Sequence, residues 1–126
     1  MTIMGNYTAT APYSCPKSSL ILTNARNKLV AQLLADPNFL TNDWKGAISG
    51  LALLASVAPG DPDYATVQSR LQTYARARAT AGPQQAGLPN WDWGYTGLFL
   101  AEYYLLTNDT QVVSGLPDVL SVRISP

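Results

Sequence analysis

Glu102, the only glutamate in the chain, stands inside the apolar run Leu98 to Leu106. Loss of hydration there would favour its neutral form unless a cation or hydrogen-bond donors accompany it. Tyr95 lies seven residues earlier, close to the same face of a helix. Asp92 sits between Trp91 and Trp93 at the start of that segment, a carboxylate held beside two indoles and near the first backbone N–H groups of a helix. Read as chemistry, Asp92, Glu102 and Tyr95 are candidate acids and bases in an aromatic cleft. Trp91, Trp93, Tyr95 and Tyr103 would grip an aromatic or sugar-like group. Arg76 and Arg78 are candidates for an anion or a phosphate ester. Each residue also has an ordinary reading: a helix N-cap for Asp92, a structural ion pair with Arg76 or Arg78 for Glu102, packing for the rings, and a solvated outer face for the arginines.

The chain contains no histidine, so Ser-His-Asp and Cys-His arrangements and His-based zinc sites are excluded within one chain. Its single cysteine, Cys15, excludes an intrachain disulfide and a multi-cysteine metal cage. Catalysis would therefore be metal-free and without a cofactor, such as hydrolysis of a small activated carboxyl or phosphate ester. No glycine-rich phosphate loop is present; Gly46, Gly50, Gly94 and Gly97 are read as places where helices approach closely.

These residues need a scaffold, and 126 residues, 47% of them hydrophobic, suffice for one small domain. Eight basic residues balance eight acidic ones without a run of either sign, which argues against nucleic acid or an anionic membrane as a partner. No stretch reads as a signal peptide or a membrane span, so a soluble protein is expected. Residues 1–17 lack periodicity and read as an irregular arm, followed by a single helical domain over 18–126. A first amphipathic helix is expected over Ser18 to Asp36, carrying Leu22, Ala25, Leu29, Val30, Leu33 and Leu34 on its apolar stripe. A helical hairpin follows over about 43–80, capped by Asn42 or Asp43, with Asp61-Pro62 opening its second helix. Arg70, Arg76 and Arg78 of that helix are expected to face outward or toward a partner. A second hairpin is expected over about 92–124, its first helix starting near Asp92 and, being apolar on all sides, buried in the interior. The fold class is all-α, about five helices.

The segments repeat at an offset of 47 residues, which sets Gly50-Leu51 against Gly97-Leu98; an offset of 48 sets Asp61 against Asp109. The stretch Asn90 to Asp109, NWDWGYTGLFLAEYYLLTND, resembles a signature of large bacterial proteins of unknown function, built of α/α-toroid repeats, and Trp44 to Pro62 resembles their preceding repeat. The resemblance covers about residues 20 to 120. It implies antiparallel helical hairpins with an inner and an outer ring, the architecture also found in terpenoid cyclases and protein prenyltransferases, and a ligand site at one end of the inner helices. The prenyltransferase zinc ligands and the cyclase run of acids are missing from this sequence. The chain is too short to close a ring, and a fragment forming an incomplete ring is expected. Uncovered helix flanks would then drive formation of a homodimer or another homo-oligomer, and a self-associating scaffold or binding module is the primary expectation.

Overall fold

The computed structural model describes residues 16–81 and 89–113, and within them the protein is all-helical, with no strand. The helices are α1 (Pro16–Ala35), α2 (Trp44–Ser56), α3 (Tyr64–Ala81) and α4 (Pro89–Thr107), and a 3-10 turn spans Thr110–Val112. The arm up to Cys15, the Gly82 to Leu88 connection and the remainder of the expected second hairpin beyond residue 113 lie outside the described residues.

Helix α2 starts where the sequence says it should. Asp43 is extended (φ −151°), and its carboxylate accepts from the amides of Lys45 (3.0 Å) and Gly46 (3.1 Å). The Thr41 hydroxyl donates to the same oxygen at 2.6 Å and fixes its direction. The helix buries Gly46, Ala47, Gly50, Leu53 and Leu54, one stripe at helical spacing. It stops at Val57, ahead of Pro59-Gly60, where Gly60 takes a φ of +102° that only glycine adopts without strain.

Two boundaries differ from expectation. Pro62 is not the first residue of α3: it lies in a turn closed by the Tyr64 amide on the Asp61 carbonyl (3.0 Å), and the helix begins at Tyr64. Helix α4 begins at Pro89, before Asp92, because proline at a first helical position loses no hydrogen bond. Asp92 is therefore a first-turn residue of α4, beyond the capping position.

The core lies between α2, α3 and α4, with Val67, Leu71, Tyr74 and Ala75 of α3 set against Leu53 of α2 and Phe99, Leu100 and Tyr103 of α4. The Tyr74 and Phe99 rings meet at 5.3 Å, and Phe99 stacks on Tyr103 at 6.1 Å. Contacts between α2 and α4 advance in the same direction along both helices, from Trp44 on Trp91 to Gly50 on Phe99, so the two run parallel.

Helix α1 is held less completely than its pattern predicts. Only Val30 and Leu33 are buried, Leu29 is half-buried, and Leu22 and Leu34 of the expected stripe are exposed, as are Leu20 and Ile21. The contacts that dock it come from polar groups of later segments. Arg26 pairs with Asp61 at 2.8 Å, and the Arg70 guanidinium donates to the carbonyls of Leu33, Asp36 and Pro37 at 2.7, 2.9 and 3.2 Å, closing the C-terminal end of the helix.

Helix α4 is not interior on every side. Phe99, Leu100 and Tyr103 are buried, but Leu98, Leu105 and Leu106 are 51%, 72% and 63% exposed. The correction has a simple cause: α2 and α3 cover adjacent sides of α4, and no described element covers the remaining one.

Candidate functional site

Residues 91, 95, 98, 102 and 105 follow one another at spacings of four, three, four and three, so Trp91, Tyr95, Leu98, Glu102 and Leu105 form a single seam along α4. Trp44, Ile48, Leu51 and Ala55 form the same seam on α2, each 47 residues before its α4 counterpart. Because α2 and α4 are parallel neighbours, the two seams lie side by side and make one face of the bundle.

At its N-terminal end the face is aromatic. The Trp44 ring lies 5.6 Å from Trp91 at an edge-on angle of 65° and 6.5 Å from Tyr95, while Trp91 and Tyr95 are 6.1 Å apart. The Lys45 ammonium stands 5.7 Å from the Trp44 ring, within cation–π range. An open cavity of about 420 Å³ lies alongside, bounded by Asn90, Trp91, Gly94, Tyr95 and Leu98. Farther along, a groove of about 330 Å³ runs between Leu51, Leu54 and Ala55 of α2 and Leu98, Glu102 and Leu106 of α4. Leu98 borders both hollows.

Beneath this face is a buried ion pair. Arg78 is fully buried and Asp92 is 2% exposed; one guanidinium nitrogen donates to both carboxylate oxygens, at 3.0 and 2.9 Å, and to the Thr96 hydroxyl at 2.9 Å. Among the described residues nothing accepts from the Nε and Nη1 groups of Arg78. The pair ties α3 to the first turn of α4 and thereby sets the rotation that turns Trp91 and Tyr95 outward.

A second polar cluster closes the far end. Arg76 binds Asp109 through Nε at 2.9 Å and a terminal nitrogen at 3.3 Å, and the Tyr103 hydroxyl donates to Asp109 at 2.8 Å. Asp109 also caps the 3-10 turn by accepting from the Gln111 amide at 3.2 Å. The Arg76 hydrogen bond, helped by Tyr103 and Gln111, outweighs partial burial and holds the Asp109 carboxyl below 3.8, the ordinary aspartate value. Burial, reinforced by Asp109, pushes the Tyr103 phenol up. Burial likewise pushes Tyr74 well above the phenol range, its hydroxyl donating to the Thr41 carbonyl at 2.9 Å.

Asp43 and Asp61 are also lowered. At Asp43 burial acts in the opposite sense and is outweighed by the Thr41, Gly46 and Lys45 donors; at Asp61 the Ala58 amide and Arg26 are the causes. A carboxylate with a lowered folded-state value contributes stability above its unfolded value, and that contribution is lost as pH falls through the folded one. The urea midpoint is therefore expected to decline as pH falls below about 4. Asp109→Asn should give a lower midpoint at neutral pH and a flatter acid limb; an acid limb unchanged in this variant would remove Asp109 from the account.

The candidate residues do not converge. Trp91 and Tyr95 share the aromatic cavity, whereas Asp92 and Trp93 are on the opposite side of α4, Trp93 being 4% exposed in the core. Glu102 is exposed in the groove, and Arg76 and Arg78 are taken by Asp109 and Asp92, so neither is its partner. Tyr103 is 1% exposed and turned toward Asp109. Arg78 is thus an interior residue, whereas Arg70, spent on the end of α1, and Arg76, held by Asp109, are both half-buried at the surface. Among the described residues no three Cys, Asp or Glu side chains come together as a metal site requires. The sequence reading missed Trp44, Lys45, Ile48 and Leu51 as parts of a functional face. The signal was present: carrying the 47-residue offset from the glycines to the residues around them finds every one of the seam positions.

No helix among the described residues is long and apolar enough to cross a membrane. No curated protein and no solved structure matches the chain. Residues 18–121 match the family described as a domain of unknown function, DUF6288, which takes in all four helices apart from the first two residues of α1. The chain belongs to the DUF6288 family.

Proposed function

We propose that this chain is a self-associating helical-hairpin module of an α/α-toroid type of protein, and that it binds through the face made by α2 and α4. The observation that supports this reading is the seam along α4, apolar or aromatic apart from Glu102. Trp91, Leu98 and Leu105 lie at heptad spacing and are 52%, 51% and 72% exposed, with Leu106 beside them. A contiguous apolar patch of this kind on a small domain is characteristic of an interaction surface. The repeated seam on α2 widens it to two helices, the arrangement that accepts an apolar helix face from a partner.

Hydrolysis by a carboxylate in an aromatic cleft is the weaker reading. Asp92 is sealed under Arg78, and Glu102 has neither a ring nor a second carboxylate beside it in its groove.

The test is mass measured by light scattering over a concentration series reaching about 1 mM. The wild type is expected to exceed 13.5 kDa as concentration rises. Leu98→Arg, at a half-exposed position, should remain folded by circular dichroism and return to the monomer mass. A wild type that stays at 13.5 kDa throughout would defeat the proposal.

A further inference from the structure

Where the chain between α1 and α2 passes along α3 it leaves a hollow of about 440 Å³, none of whose residues belongs to the seams of α2 and α4. One wall is the connection, with Asn38, Thr41 and Asn42; the other is α3, with Ser69 and Thr73 one turn apart. The walls are braced from the floor. The Arg70 guanidinium donates to the carbonyls of Asp36 and Pro37 at 2.9 and 3.2 Å, and the Tyr74 hydroxyl to that of Thr41 at 2.9 Å. The main chain of the connection is thus fixed against α3, and the hollow is formed before any ligand enters it.

The polar side chains on both walls are left unspent. Among the described residues the carboxamides of Asn38 and Asn42 and the hydroxyl of Ser69 make no hydrogen bond. Thr41 and Thr73 use their protons on Asp43 and on the Ser69 carbonyl, 2.6 and 3.1 Å away, and keep lone pairs with which to accept. Charge is missing. Among the described residues no carboxylate borders the hollow, and its one cation, Arg70, is occupied with carbonyls, so a metal ion or an anion meets no counter-charge there.

Groups that both donate and accept, facing one another across a gap beside the apolar Pro37, Leu40 and Ala77, match a neutral ligand that carries hydroxyls on its edges and C–H surface on its faces. The volume is that of a small-molecule site, and α3 from Ser69 to Ala77 gives it a length of about 12 Å. We propose that this hollow binds a neutral saccharide of one or two rings, with Asn38 and Asn42 bonding its hydroxyls from one side and Ser69 and Thr73 from the other. The site is independent of the self-association proposed above, and either can hold without the other.

The experiment is an NMR titration of the isotope-labelled full chain with maltose, cellobiose and N,N′-diacetylchitobiose, each to about 50 mM. At least one is expected to shift the backbone amides of residues 38–42 and 69–77 together with the side-chain amides of Asn38 and Asn42, saturating with a Kd in the millimolar range. Asn38→Ala and Asn42→Ala, both at exposed positions, should remain folded by circular dichroism and each weaken binding about 5- to 10-fold, and the double variant should no longer saturate. A blocked trialanine peptide, the alternative occupant, should leave these signals unmoved. Four outcomes overturn the assignment: no shift with any of the saccharides, shifts confined to the surroundings of Trp44, Trp91 and Tyr95, a Kd unchanged in the double variant, or shifts produced by the peptide alone.

Discussion

Asp92→Ala is expected to destabilise the fold by about 3–5 kcal/mol, the cost of leaving a buried charge without its counter-charge. Arg78 has no exposure, and its one engaged nitrogen is held by Asp92 and Thr96. For a chain whose whole stability is on the order of 10 kcal/mol, this is a large fraction. Asp92→Asn keeps an acceptor but removes the charge, and a loss of about 2 kcal/mol is expected. Replacing both partners, Arg78→Met with Asp92→Leu, should recover most of the loss. Two desolvated ions disappear together, and the two guanidinium N–H groups that nothing among the described residues accepts disappear with them. Thr96 then has its own helix carbonyl, four residues back, as an acceptor. Urea midpoints at constant m-value measure all three. A loss below about 1 kcal/mol for Asp92→Ala would mean that the pair is hydrated in solution.

Gly46→Ala is expected to cost about 3 kcal/mol or more, the high end for overpacking, because the obstacle is main chain. A Cβ at this position would collide with the carbonyl oxygen and amide nitrogen of Thr41 and lie 2.7 Å from the Tyr74 hydroxyl. The backbone around the N-terminus of α2 would have to move, taking the Tyr74 bond to Thr41 with it. At Gly50 the obstacle is the Phe99 ring, 2.7 and 2.9 Å away at its nearest atoms. The ring can tilt, so Gly50→Ala should cost about 1–3 kcal/mol. The sign makes the comparison decisive, since a Gly→Ala change inside a helix with free space stabilises by about 1 kcal/mol. Thermal unfolding of the two variants reads it directly, and stabilisation at Gly46 would refute the close approach of α2 to the chain before it.

The contrast between these two sites shows what the sequence could reveal. The helices, the Asp43 cap and the closeness implied by the glycines depend on spacing and local chemistry, which are written in consecutive residues. The 47-residue offset likewise placed Gly50 and Gly97 in equivalent helices. Arg78 was misread because an arginine on a helix is ordinarily solvated, and its partner is fourteen residues away, across a connection whose path no periodicity reports. Asp92 was misread for the converse reason: beside two tryptophans at a helix start it has the form of a cap, and only the start at Pro89 moves it into the first turn. The apolar run Leu98 to Leu106, broken only by Glu102, is equally compatible with a buried helix and with one whose third side is exposed.

The connection from Asp36 to Asp43 has few bonds of its own, namely Asn38 and Phe39 on Asp36 and Thr41 on Asp43. The rest of its order comes from α3, through Arg70 on three carbonyls and Tyr74 on Thr41. A corner so dependent on a helix more than thirty residues downstream cannot set until that helix is in place. Helix α1 is therefore expected to join late in folding and to open first on unfolding, its amides exchanging hydrogen ahead of those of α2, α3 and α4.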